Sequence, residues 1–383
     1  MFKMVIRVLL SIMLMVCLFL LIGFYASRWL QTIHVDASVG FCTWTMLALV
    51  FSYVFGRIKY VPAVMSNALN YIGAIAIVIF EWSVLLIIAG NLIGIVAVYG
   101  FGFETNEVVR VLGFVSIGLL IAGIVIGSYY AWKPIVRKYH FEIMKSALGE
   151  QKSFRILIAS DLHAGRIVGR NHLQRLVNIV QREQPDLILL AGDVLDDDVR
   201  PFLDQGMDEL LGQMRAPLGV FAILGNHEYY GRGIKPYVQA MQNVGIRVMQ
   251  DEVEVLPGFG IVAGRKDVTA NSMMRGDGAG RMTVEELLQS ADKTKPIIVL
   301  DHQPRGYSLA EAAGADLIIS GHTHRGQIWP NHFFTKRLFD LDWGYAKFGK
   351  MHAIVSSGFG TWGPPVRLNS QSEVVIASVM ITG

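Results

Sequence analysis

The sequence predicts an α/β domain of layered strands and helices, preceded by an all-α region of membrane-spanning helices. Three observations carry this. From residue 1 to about residue 132 charges are sparse and long apolar stretches follow one another, whereas from Lys133 onward the chain has the mixed composition of a globular domain. Beyond Phe154, apolar runs of strand length recur, each ending abruptly in Asp, Asn or His. Between them lie helical patterns, such as Leu173, Leu176, Val177 and Val180 at i, i+3, i+4 and i+7. Alternation of strand and helix is the signature of an α/β layered domain.

The skew shows in the totals. Of 383 residues, 52% are hydrophobic and only 17% charged, against a usual charged share of about 25%. A net charge of +3, with no run of Lys or Arg, gives no argument for nucleic acid as a partner, and none is expected. Both cysteines, Cys17 and Cys42, fall in the apolar part, so the globular part has neither thiolate metal sites nor disulfides.

Four apolar segments reach the roughly 20 residues that a crossing needs: Val8 to Ala26, Ala37 to Phe55, Tyr71 to Tyr99, and Val111 to Trp132. The first reads as a span rather than a signal peptide, because its apolar core is long and further spans follow. The third is overlong and contains Glu81 and Asn91, which suggests a tilt or a break. Glu81 is either a site residue or a carboxyl bonded between packed helices. With the N-terminus inside, Lys3, Arg7, Arg57, Lys59, Lys133, Arg137 and Lys138 lie on the cytoplasmic side, and only Arg28 and Arg110 lie outside. That asymmetry predicts a multi-pass protein of the cell membrane with a cytoplasmic globular domain. The expected organisation is a transmembrane region over 1–135, a linker over 136–152 and a catalytic domain over 153–383.

Five strand ends share one chemistry. "FRILIASDLH" ends in Asp161 and His163, "PDLILLAGDVLD" in Asp193 and Asp196, and "GVFAILGNHE" in Asn226 and His227. "PIIVLDHQP" ends in His302, and "DLIISGHTH" in His322 and His324. Near-continuous apolar runs are typical of strands buried on both faces, and ligands in such folds gather at the carboxyl ends of the strands. Gly192, Gly225 and Gly321 each precede ligand-type residues, where a turn into a site needs φ > 0 or a close backbone approach. Farther on, Thr283 and Glu286 have the spacing of a capping box. One histidine at a strand end is more often structural than a ligand. Five of the ten histidines in such places is more than packing alone produces. Carboxylate, amide and imidazole donors without sulfur suit Mn, Fe or Zn. They are too many for one tetrahedral ion of about four ligands, so two ions sharing a carboxylate fit better.

"DLH", "GDVLD", "GNHE", the His of "LDHQP" and "GHTH" resemble the five ordered motifs of the calcineurin-like metallophosphoesterase superfamily. "GNHEYYG" and "SSGFGTWGPPVRL" further resemble its branch of membrane-attached phosphohydrolases. The likeness runs from about Phe154 to Met380. It implies a four-layer α/β/β/α sandwich and two divalent metal ions, with Mn favoured. It further implies that Asp161, His163 and His324 hold one ion, that Asn226, His302 and His322 hold the other, and that Asp193 bridges. A hydroxide between the ions would attack the phosphoryl group, with His227 as general acid and Asp196 orienting it. Arg166 and Arg325 would meet phosphate oxygens. Glu228 stands where many relatives have Asp.

The expected activity is hydrolysis of a phosphodiester or pyrophosphate bond by a membrane-bound enzyme, with a lipid-linked substrate. The substrate class rests on the spans and on "HFFTKRLFDLDWGYAKFGK", His332 to Lys350, where Phe333, Phe334, Phe339, Trp343, Tyr345 and Phe348 interleave with Lys336, Arg337, Lys347 and Lys350. Such a mixture suits an interface with anionic headgroups, and it equally suits a loop packed on the core. Two alternatives stay open: a membrane-anchored enzyme for a soluble nucleotide-like phosphoester, and a non-enzymatic metal-bound membrane sensor.

Overall fold

The computed structural model describes residues 2–58, 60–145, 151–231, 233–272 and 280–382. Lys59, used above for orientation, lies outside the described residues, as does the side chain of Lys3. The chain divides into two units, Met1–Gly127 with Gly363–Val366, and Ser128–Trp362 with Arg367–Gly383.

The first unit is helical: α1 (Phe2–Thr32), α2 (Val39–Phe55), α3 (Ala63–Ile95, continued by a π-helical turn over Val96–Gly100) and α4 (Thr105–Trp132). Three stretches are long and apolar enough to cross a membrane: Val5–Thr32, Ala63–Gly100 and Thr105–Trp132. The second expected span differs. Ser38 caps α2 by accepting from the Phe41 N–H (3.1 Å), and Gly56 closes it, leaving 17 residues. At ~1.5 Å per residue that is about 25 Å, short of a hydrocarbon core of about 30 Å. The overlong third segment is one continuous helical stretch, not a hairpin. Small residues let these helices approach closely: a Cβ on Gly73 of α3 would fall 2.2 Å from the backbone nitrogen of Tyr53 in α2. Asn91, expected to be awkward inside a span, accepts a hydrogen bond from the Tyr25 hydroxyl of α1 (2.6 Å). Glu81 is half-buried and has a partner.

The second unit holds two six-stranded mixed sheets. The first is built from β1 (Ile135–Met144), β2 (Lys152–Ala159), β3 (Leu187–Leu190), β4 (Val220–Ile223), β5 (Arg247–Met249) and β12 (Glu373–Thr382), in the order β1-β12-β2-β3-β4-β5. The second is built from β6 (Glu252–Leu256), β7 (Gly260–Gly264), β8 (Ile297–Leu300), β9 (Leu317–Ser320), β10 (Gly344–Phe348) and β11 (Met351–Val355), in the order β10-β11-β9-β8-β7-β6. In the centre of each sheet the strands are parallel: β2 to β5 in one, β7, β8, β9 and β11 in the other.

The apolar runs are explained by which core each residue enters. Along β3, Leu187 and Leu189 face a core shared by the two sheets, while Ile188 and Leu190 face a core under helices. The helices on that side include α5 (Arg170–Glu183), which buries Leu173, Leu176, Val177 and Val180, the face expected from its periodicity. In the second sheet, Ile298 and Leu300 of β8 join the shared core, and Ile297 and Val299 join a third. That third core packs under α10 (Val284–Leu287) and α11 (Tyr307–Ala312). Three cores separate four layers, α/β/β/α. Because strand side chains alternate with period two, a strand buried on both faces must be apolar throughout. The capping box at Thr283 and Glu286 closes with both of its bonds, 3.2 and 2.8 Å.

The stretch expected as a linker, 136–152, is largely strand. β1 pairs in parallel with β12 from Ile135↔Glu373 to Met144↔Thr382. Its alternation explains this: Tyr139, Phe141 and Ile143 point to the shared core, and Lys138, His140 and Glu142 point away.

The shared core offers a direct test. Leu189 is fully buried between the sheets, whereas Leu309 in α11 is 56% exposed. Leu189→Ala should destabilise the protein by about 2–5 kcal/mol, and Leu309→Ala by no more than about 0.5 kcal/mol. Thermal unfolding midpoints of the two variants against the parent measure the difference.

Candidate metal centre

The carboxyl ends of strands from both sheets converge on one buried spot. Asp161 and His163 follow β2, Asp193 follows β3, and Asn226 opens α8 (Asn226–Tyr230) after β4. His302 follows β8, and His322 and His324 follow β9. Asp161, His163, Asp193, His322 and His324 all have positive φ, between 47° and 73°. Non-glycine residues rarely adopt that conformation, and clusters of it mark sites where geometry is imposed by function. The preceding glycines supply the room. Gly192 has φ +89°, and a Cβ there would fall 2.6 Å from His302 Nδ1. A Cβ on Gly225 would fall 2.2 Å from Asp193 Oδ1, and one on Gly321 would fall 2.2 Å from Asp161 Oδ2.

Asp161, His163 and His324 place ligand atoms within 4.8 Å of one another, and so do Asp193, His302 and His322. His163 Nε2 lies 3.0 Å from His324 Nε2, and His302 Nε2 lies 3.1 Å from Asp193 Oδ2. His302 donates from Nδ1 to the Ala191 carbonyl (2.8 Å), which fixes the tautomer and leaves Nε2 facing Asp193. Asn226 Oδ1 and His302 Nε2 are buried and accept or donate no hydrogen bond. Orphaned buried donors and acceptors beside two buried carboxylates are what a metal pair would satisfy. The backbone steadies the carboxylates: His322 N–H donates to Asp161 Oδ1 (2.9 Å), and His227 N–H donates to Asp193 Oδ1 (2.9 Å).

Electrostatics agree with a cation site. Burial, reinforced by the Asp193 charge, raises the Asp161 carboxyl to about 6 despite the pull of His302. Burial lowers His322 to about 4 and holds His163 and His324 well below the ordinary imidazole range, so all three rings are neutral at pH 7. His302 goes the other way. Burial opposes its charge, but Asp193 and Asp161 draw it well above the usual value, the pull that a cation there would feel.

His227 shares a cluster with His163 and Asp193. Its Nδ1 donates to Asp197 Oδ1 (2.7 Å), not to Asp196, the residue expected to orient it. Asp196 falls in a second cluster, with Asp197 and His227, and its backbone N–H donates to the Ala164 carbonyl (3.1 Å). The Asp197 backbone is itself at positive φ, +56°. Burial disfavours charge on His227, yet Asp193 and the Asp197 bond raise it to about 9, so it is an imidazolium at neutral pH. Arg166 lies 3.7 Å from Asp198, and the Arg325 guanidinium stacks on Trp343 at 3.9 Å.

The aromatic stretch 332–350 splits in two. Trp343 is half-buried: the Arg325 and Arg137 guanidiniums both stack on its ring, and it donates to Glu373 (3.1 Å). Tyr345 stacks on Phe141, and Phe348 stacks on Tyr307. The short α12 (His332–Leu338) instead leaves Phe333, Phe334 and Leu338 exposed beside Lys336 and Arg337.

Two further residues come from the structure. Glu228 is fully buried and accepts from the backbone N–H groups of Leu195 (2.8 Å) and Gly225 (2.7 Å), tying the Asp193 turn to the Asn226 turn. Arg367 is also fully buried. Its five N–H groups are satisfied by the Gly360 and Ser357 carbonyls, the Ser370 hydroxyl and His324 Nδ1 (3.1 Å). Because a guanidinium only donates, His324 Nδ1 accepts, and the proton of the neutral ring is then on Nε2, 3.0 Å from His163 Nε2. The tail "PPVRL" gave one signal only, a charge among apolar residues. Loss of such supporting contacts typically costs 10- to 100-fold in metal affinity. Arg367→Lys keeps the buried charge but not the fork, so metal affinity should fall by about that factor, read as ions per chain after dialysis. Unchanged retention would leave Arg367 a packing residue.

Residues 154–326 match the family model described as calcineurin-like phosphoesterase. An uncharacterized metallophosphoesterase of Aquifex aeolicus is 34% identical over 248 residues, 64% of this chain and 91% of that protein. A metallophosphoesterase of Helicobacter pylori is 32% identical, over 58% of this chain and 59% of its own length. A zebrafish (Danio rerio) protein named transmembrane protein with metallophosphoesterase domain is 32% identical, over 57% of this chain and 52% of its own. The chain thus spans little more than half of the latter two relatives. The ordered strand-end ligands, the paired sheets that carry them and these likenesses lead to one statement: the chain belongs to the calcineurin-like metallophosphoesterases, metal-dependent hydrolases of phosphoric esters.

Proposed function

We propose that this protein is a membrane-bound phosphoesterase that cleaves a phosphodiester or pyrophosphate bond of a lipid-linked substrate, with His227 as the proton donor. The observation that carries the reading is the position of His227. It lies beside the triads Asp161, His163, His324 and Asp193, His302, His322, comes within the same reach of His163 and Asp193 and of Asp196 and Asp197, and is anchored through Nδ1 by Asp197. Asp161, His163 and His324 would hold one divalent ion, Asn226, His302 and His322 the other, and Asp193 both; Mn suits these oxygen and nitrogen donors. When bound, such a pair supplies Lewis acidity for the phosphoryl oxygens and lowers the pKa of a water. Asp197 fixes the imidazole so that Nε2 meets the departing oxygen, and it stabilises the charged ring before transfer. The proton on Nε2 passes to the leaving oxygen as the P–O bond breaks. Arg166 and Arg325 are the cations at hand for phosphate oxygens. The catalytic unit would begin at β1 rather than at residue 153, with the membrane region before it.

The leaving group supplies the test. General acid catalysis is worth typically 10²- to 10⁴-fold and matters most when the departing alkoxide is strongly basic. His227→Ala should therefore keep its metals and lose about that factor on an alkyl phosphodiester, but much less on a nitrophenyl one. Asp197→Asn should show a weaker form of the same pattern. Equal losses on both substrates, or metal loss in His227→Ala, would assign the proton to another donor.

The lipid-linked reading is supported by α12, whose exposed Phe333, Phe334 and Leu338 beside Lys336 and Arg337 suit an anionic headgroup surface. Replacing Phe333 and Phe334 by Ser should impair hydrolysis of lipid phosphates in mixed micelles and spare a small soluble ester. Equal loss on both, or a preference of the parent for nucleotides over lipid phosphates, would favour the soluble substrate.

The cytoplasmic placement of the catalytic unit rests on the excess of Arg and Lys at one set of span ends, with α2 counted as a short fourth crossing. A fluorescent reporter fused after Gly383 should glow, and an alkaline phosphatase fused there should be inactive. The reverse pattern would put the unit on the opposite face and count α2 as lying outside the bilayer.

A further inference from the structure

The imidazole that donates the proton has aromatic neighbours for which the hydrolytic reading finds no use. Tyr230, the last residue of α8, has its ring centroid 5.4 Å from that of His227, and Trp362 lies at 6.2 Å, nearly perpendicular. Both are open to solvent: Trp362 is 58% exposed and Tyr230 40%. An indole left that bare on a mobile loop would be unremarkable. This one is fixed. Gln327, buried three residues beyond His324, accepts from the Trp362 backbone N–H (2.9 Å) and donates to its carbonyl (3.1 Å). Gln327 also ties in Leu368, through its own carbonyl (2.9 Å). The turn that carries two ligand candidates therefore also sets the backbone that presents the indole. Gly231, next to Tyr230, leaves no room for a Cβ against the Asp197 carbonyl, so the chain following Tyr230 packs on the backbone of the residue bonded to His227.

Whatever is attached to the leaving oxygen must sit next to the donor of its proton, and so among these rings. The rim is not purely apolar. Asp197 and Asp198 each keep about a third of their side chains exposed, and Arg166 reaches Asp198 at 3.7 Å. An acyl chain laid there would desolvate carboxylates without bonding them. A ring with an apolar face and polar edges can stack on the aromatics and give its hydroxyl or N–H groups to the carboxylates.

Resting on the hydrolase reading, we propose that Trp362 and Tyr230 form the subsite for the leaving group, and that this group presents a ring with an apolar face and polar edges close to the leaving oxygen, a sugar or a heterocyclic base. Trp362 is then the specificity-determining residue of the pair, since it is the more exposed and the one clamped by the metal-ligand turn.

The test uses the full chain in detergent micelles with Mn and three methyl phosphodiesters whose other alcohol is primary, so that leaving-group basicity is matched: butanol, the glucose 6-hydroxyl and the uridine 5′-hydroxyl. Stacking on an aromatic side chain is commonly worth tenfold or more by alanine substitution. In Trp362→Ala the ratio of kcat/KM for the better ring ester to that for the butyl ester should fall by about tenfold or more, and Trp362→Phe should restore most of it. The ester with the larger fall names the ring. A parallel loss on all three esters, or a ratio that does not move, overturns the subsite. Binding of the monophosphates of the same three alcohols, measured by calorimetry, reads the subsite without turnover. If the parent cleaves none of the esters yet binds ring monophosphates through Trp362, the hydrolase reading fails and the subsite stands; if Trp362→Ala binds all three like the parent, the subsite fails and the hydrolase reading is untouched.

Discussion

The molecule is organised around one electrostatic demand: two carboxylates, Asp161 and Asp193, are buried together with almost no access to water. Burying one ionised carboxyl is costly, and burying two side by side without compensation would not persist. The fold meets the demand by bringing nitrogen ligands from the other sheet. His302, His322 and His324 leave β8 and β9, while the carboxylates leave β2 and β3. Neither sheet alone carries a complete site. The pairing of the two sheets through their shared apolar core is thus also what assembles the ligands, and core packing and function are tied at that interface.

Holding ligands on turns rather than on strands has a backbone cost. Five of the candidate ligands sit at positive φ, each of order 1–3 kcal/mol for a non-glycine residue. Such turns survive only where their surroundings over-determine them. The structure shows how: Asp161 N–H donates to the Gly192 carbonyl (3.0 Å), His163 N–H to the Asp193 carbonyl (3.0 Å), and Gly321 N–H to the His302 carbonyl (3.0 Å). Each turn is pinned by the next, and Glu228 and Arg367 pin them from behind. The apolar cores under and between the sheets are what stabilise the whole against this local strain.

The strand ends were legible in the sequence because the chemistry is abrupt: "LIASDLH" and "LIISGHTH" switch from apolar to ligand-type within two residues. The four layers follow from the alternation of strand and helix once both faces of every central strand must be apolar. Other features were hidden for definite reasons. β1 reads as a polar connection because only Tyr139, Phe141 and Ile143 of it meet the shared core. That Asp197, not the expected Asp196, meets His227 Nδ1 is settled by the folded turn after β3, which residue type alone does not dictate. The length of α2 depends on Ser38 capping it, against an apolar run that begins earlier. In 332–350 composition is uniform, yet Trp343 is half-buried and Phe333 is bare. The difference lies in Arg137 and Glu373, far away in sequence, which only the folded sheet brings to the indole.

Five imidazoles within one site do unlike things, and the partner of the second ring nitrogen decides which. His302 gives its Nδ1 proton to a neutral carbonyl, that of Ala191. A carbonyl fixes the tautomer and aims Nε2 without adding charge, which suits a ligand. His324 has its Nδ1 occupied by the Arg367 guanidinium, a cation that opposes any positive charge on the ring. His227 alone gives its Nδ1 proton to a carboxylate that remains partly in water, Asp197. A carboxylate partner stabilises the imidazolium, and a charged ring is repelled by metal ions but is ready to give up a proton. Identical side chains, separated by a few ångströms, are therefore set in unlike electrostatic surroundings by a carbonyl, a guanidinium and a carboxylate behind them, and the proposed division into ligands and proton donor rests on that difference.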